Sequence, residues 1–163
     1  MSWIRIRGGV ELERGRLSTA RSSAISNRCR DVTTEGGIRW LDWPYVRVRS
    51  EVHTDRTGDV SEFVVQLEYD VGVRADGRGS SDWRQVARFD HQPNHDHGHD
   101  IRDERLHMDV YRDGEKETIK RGFPPVDVNE APAFCEQVFE QNAKELVQRF
   151  ERWHGISGRR DGR

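Results

Sequence analysis

Lysine is almost missing from this chain: Lys116, Lys120 and Lys144 are the only ones, although Lys and Arg together number 27. Arginine therefore carries nearly all the positive charge, and its planar fork suits phosphate and carboxylate partners. A G+C-rich coding sequence accounts for the same bias without any ligand. Cysteine is scarce as well. Cys29 and Cys135 lie far apart and form no CxxC pair, which argues against a disulfide framework and fits a reducing cytoplasm. No apolar run approaches membrane-spanning length, and the opening residues lack the apolar stretch of a secretory signal. A cytoplasmic protein without membrane contact is expected. With 27 basic against 29 acidic residues the net charge is −2, so no global field favours nucleic acid or a membrane surface. There is no P-loop, no strand-linked GxGxxG and no GxSxG elbow.

The hydrophobic residues that are present, 33% of the chain, cluster from about Ile38 to Trp153 and suffice for one modest core. Residues 1–35, rich in Arg, Ser and small residues, read as a flexible arm, and 156–163 as a disordered tail. Between them, 36–155 reads as a single α+β domain. Tyr45–His53 and Phe63–Val71 alternate with period two and make a hairpin. Trp83–Asp90 forms a third strand, Leu106–Tyr111 a fourth and Glu115–Arg121 a fifth, the last two joined at Asp113-Gly114. Asn129 is the expected N-cap of a long amphipathic helix that ends near Gly155. The fold class is thus an antiparallel meander of about five strands with one long C-terminal helix across its apolar face. The opposite face should hold Tyr45, Arg47, Arg49, Glu51, Glu68, Arg84, Arg88, Asp90, His107 and Asp109, which an ordinary solvated face also explains.

Five of the seven histidines fall between His91 and His107, in "RFDHQPNHDHGHDIRDERLHMDVYRDG". Three readings stand open. In the first, the HxHxH run His95, His97 and His99 binds zinc or another divalent transition metal. In the second, no cofactor is needed. His95, His97, His99 and His107 supply acid/base groups for RNA cleavage, Asp90 and Asp109 orient them, and Arg47, Arg84 and Arg88 bind the phosphate. Tyr45 and Tyr111 are candidate stacking platforms for bases. In the third, the segment is a polar loop whose side chains cap backbone groups. The helix around Phe150 and Trp153 is a further candidate, as a surface for a homodimer or another partner.

The stretch "RFDHQPNHDHGHD", running out of one strand and into a hairpin, resembles the aspartate and histidine-rich region of TumE-like toxins. It is also similar to a group of small archaeal and bacterial proteins with an "FDH…HGHDI…LHMDVY" layout. The resemblance covers roughly Tyr45 to Arg121, and its matching positions are Asp90, His91, His95, His97 and His99. It differs in histidine spacing and lacks an adjacent His-His pair. It implies a small α+β toxin acting on RNA and neutralised by a cognate antitoxin.

Overall fold

Alternation along the strands builds the sheet. The computed structural model describes residues 33–72, 79–96 and 98–156. Six strands, β1 (Thr33–Asp42), β2 (Val46–Thr54), β3 (Val60–Asp70), β4 (Trp83–His91), β5 (Met108–Arg112) and β6 (Glu115–Lys120), pair in sequence order. Every pair is antiparallel. A four-residue helix α1 (Ile101–Glu104) precedes β5, and the long helix α2 (Ala131–His154) follows β6. The architecture is the α+β arrangement expected, with one strand more.

The additional strand is β1. It carries no alternating apolar face, holds Gly36-Gly37 at its centre and is mostly exposed, so only its backbone ladder to β2 defines it. Thr33, Thr34 and Glu35 therefore belong to the sheet. The rest of the expected N-terminal arm, and the tail from 157, lie outside the described residues.

Across the middle of the sheet the register Val48–Leu67–Ala87–Val110 stacks apolar side chains on one face. α2 lies on that face. Phe139 meets Phe89 at 5.1 Å between ring centroids, and Phe150 meets Tyr69 at 5.4 Å. Phe150 is thus core and unavailable as a surface for partners, and Tyr45, stacked on Tyr69, is likewise buried rather than facing bases. Asn129 is not the cap of α2; Glu130 occupies that position without a side-chain bond. The Asn129 amide instead crosses to the start of β3, accepting from the Val60 N–H at 2.7 Å and donating to Asp59 at 3.1 Å. Gly155 ends the helix in the left-handed conformation, φ 63°, as a glycine at that position can without strain.

A bulge in β4 positions the far face. Glu68 opposes Gln85 while Leu67 opposes Ala87, so Val86 is the extra residue and the faces exchange there. Strict alternation would put Arg84 and Arg88 together. The bulge separates them, and Arg84 pairs locally with Asp82 at 2.8 Å.

Candidate functional site

The β4–β5 ladder has only two pairs, Ala87 with Val110 and Arg88 with Asp109. Beyond Arg88 the strands part, and the gap is filled by the loop from Gln92 to Asp100. Period two puts Asp90 on the same face as Arg88, and His107 on the same face as Asp109. The loop is pinched shut: the Gln92 N–H donates to the His99 carbonyl at 2.8 Å. Gly98 passes so near that a Cβ there would sit 1.8 Å from the Gln92 carbonyl oxygen, so no other residue fits without moving the backbone. Outside the pinch, Asn94 and His95 reach Glu62 of β3, at 3.2 and 3.4 Å.

The result is a cavity of about 440 Å³ on the face opposite α2, lined by Arg88, Asp90, Gln92, His95, Asp96, Gly98, His99, Asp109, Tyr111 and Lys116. Asp109 is its floor. It is 2% exposed, and its Oδ2 takes the Lys116 ammonium at 2.5 Å. Its Oδ1 has no hydrogen-bond donor among the described residues. A buried carboxylate oxygen without a partner is costly, and it calls for a cation or a donor that the protein itself does not supply.

Two imidazoles face that carboxylate. His99 Nδ1 lies 3.1 Å from the Glu104 carboxylate, and His107 Nδ1 lies 3.2 Å from the Arg105 carbonyl. Both partners can only accept, so both Nδ1 atoms carry a hydrogen, and in the neutral ring Nε2 keeps its lone pair. Those Nε2 atoms lie 4.0 Å from Asp109 Oδ2 and 3.9 Å from Asp109 Oδ1 respectively. In that neutral form acceptors converge on acceptors. One ligand atom each from Asp90, His99 and Asp109 fall within 4.8 Å of one another, and His99, Glu104 and His107 form a second, overlapping group. An imidazole whose Nδ1–H is held by an oxygen while Nε2 points inward is the usual arrangement around a bound transition metal.

The expected site residues divide clearly. Asp90, His99, His107, Asp109 and Arg88 come together. His95 is at the rim, well exposed, and held by Glu62. His97 lies outside the described residues. Arg47 is elsewhere on the sheet, bonded to Glu68 at 2.6 Å and stacked 3.7 Å over Trp83. His91 is structural: it is fully buried beside Phe63, and its Nδ1 accepts the Ile101 N–H at 3.3 Å. Burial lowers its pKa, with Asp100 opposing, so the ring is held neutral. Sequence reasoning misses Lys116, Glu104 and Gly98 as site residues. The Asp113-Gly114 turn pairs Arg112 with Glu115 and Tyr111 with Lys116, and that register is the signal that could have found the lysine. Burial raises the pKa of Tyr111, with Asp109 adding to it, so its phenol remains a neutral donor. The Cys135 thiol lies on the buried side of α2, and that burial pushes its pKa up, which removes it as a nucleophile.

Fold and pocket together define an α+β domain with a carboxylate–imidazole cluster at the open end of one strand pair. The chain belongs to a family described as a domain of unknown function (DUF7718), whose model matches residues 32–156. No curated protein and no solved structure matches it. No helix among the described residues is long and apolar enough to cross a membrane.

Proposed function

We propose that this domain binds a divalent transition metal ion, with Asp90, His99 and Asp109 as ligands and His107 beside them. The observation that carries the reading is the unpartnered, buried Oδ1 of Asp109, faced by imidazole nitrogens whose hydrogens are committed elsewhere. Mixed nitrogen and oxygen ligands suit zinc and its neighbours. This ligand set differs from the HxHxH run: His99 is common to both, and the carboxylates replace His95 and His97. Calorimetric titration with zinc, backed by elemental analysis, tests it. One ion per chain is expected, lost in Asp109→Asn and His99→Ala and retained in His95→Ala. Binding that survives Asp109→Asn but not His95→Ala would return the site to the HxHxH run.

A second reading uses the same pocket for RNA cleavage, by a toxin-like protein with a cognate antitoxin and a cytoplasmic site of action. The presence of Arg88 and Lys116 beside His99 favours it, since these cations suit a phosphate in an acid/base reaction. Total RNA incubated with the protein and with His99→Ala tests it; equal cleavage by both, or none, ends the reading. A homodimer belongs to this reading only as a quaternary state to be measured by light scattering.

A further inference from the structure

The metal site leaves two cations to be explained. Lys116 Nζ lies 2.5 Å from Asp109 Oδ2, and Arg88 Nε lies 3.4 Å from Asp90 Oδ1. These carboxylates are the ones assigned to the metal. An ion seated on the free Asp109 Oδ1 and on Asp90 draws charge from the two carboxylates that Lys116 and Arg88 now pair with, and so competes with both cations for their partners.

Charge decides where those cations turn. With neutral imidazoles and no ion, Arg88 and Lys116 balance Asp90 and Asp109, and Asp96 at the rim leaves the lining one unit negative. A dication turns it one unit positive. The nearby carboxylates outside the lining are already engaged, Glu104 by His99 and Glu62 by Asn94 and His95. The freed cations then face the cavity. Arg88 is well held for this: its Nη2 donates to Gln92 at 2.6 Å, while its buried Nε has no hydrogen-bond acceptor. Three protein ligands also leave one open position on a tetrahedral ion.

Resting on the metal reading above, we propose that the ion-loaded pocket binds a phosphate ester, one oxygen on the ion and the others on Arg88 and Lys116. Three positive groups around one volume match the three free oxygens of a phosphate monoester; a carboxylate offers only two. The fork of Arg88 adds geometric preference for phosphate. Ion and anion therefore bind cooperatively, each tightening the other by the same factor.

The test is titration of the full chain with phenyl phosphate, with the dinucleoside phosphodiester UpU and with acetate, each with and without zinc. Zinc should raise phenyl phosphate affinity by about tenfold or more, and phenyl phosphate should raise zinc affinity equally. UpU, whose diester offers two free oxygens, should bind more weakly, and UpU binding that equals or exceeds that of phenyl phosphate overturns the inference. Lys116→Ala should move the two ligands in opposite directions, tightening zinc because a competitor for Asp109 is gone, and weakening phenyl phosphate. A merely structural lysine would weaken both. Zinc binding with no effect on phenyl phosphate, acetate bound as tightly as phosphate, or both ligands weakened by Lys116→Ala overturns the inference and leaves the metal site standing. No zinc binding at all overturns both.

Discussion

Glu68 on β3 and Asp109 on β5 share the sheet face opposite α2, and both are buried, at 5% and 2% exposure. Glu68 receives Arg47 at 2.6 Å, Arg49 at 3.2 Å and the Gln66 amide at 2.6 Å, so both its oxygens are engaged. Asp109 receives Lys116 on one oxygen and no hydrogen-bond donor among the described residues on the other. The difference separates two uses of a buried charge. The first is closed by the protein and joins β2 to β3. The second is left open toward a cavity, where a ligand completes it.

Substitution breaks the comparison most directly. Glu68→Ala leaves two arginines without their shared partner and should destabilise the fold by about 3 kcal/mol in urea unfolding, with zinc affinity unchanged. Asp109→Asn should do the reverse. Among the described residues its one short ion pair is to a partly exposed lysine, beside the longer contacts to His99 and His107, so stability should change by less than about 0.5 kcal/mol, while zinc affinity falls by about a hundredfold. If Asp109→Asn proves as destabilising as Glu68→Ala, the two carboxylates are alike and the site reading fails. Gly98→Ala comes next: the new Cβ forces the pinch of the loop open at Gln92, and about 1–3 kcal/mol of stability should be lost. Retention of both stability and zinc affinity would show that the pinch positions nothing. The smallest effect sharpens the contrast. Glu104→Gln removes the carboxylate that fixes the His99 ring and should weaken zinc about tenfold, without touching the Glu68 cluster.

Much of the fold could be read from alternation alone, because β2, β3 and β5 bury one face and leave the other polar. β1 could not: an exposed edge strand with two central glycines carries no burial pattern to betray it. Nor could the bulge at Val86, whose effect on Arg84 depends on pairing with β3. For the candidate site, the sequence pointed to the segment and the strand ends that line the cavity, since Asp90 and Asp109 flank the histidines at period-two positions. It favoured the alternating His95, His97 and His99 because an extended backbone would align them. The loop is folded back on itself instead, and His95 turns outward to Glu62. Which of several imidazoles faces a carboxylate is a question of loop closure, and loop closure here turns on the missing side chain of Gly98.

The short ladder between β4 and β5 has a consequence for motion. Two residue pairs join the β5–β6 hairpin to the rest of the sheet, and α2 packs chiefly over β2, β3 and β4. β6 is largely exposed. Met108 and Val110 still anchor β5 in the core and His154 reaches Asp113, so the exposed β6 is the part of the hairpin whose amides should exchange soonest. An ion held by Asp90 on one side of the seam and Asp109 on the other would act as a staple across it. Zinc should then slow exchange in Met108–Lys120 and leave the β2–β3 amides at their former rate.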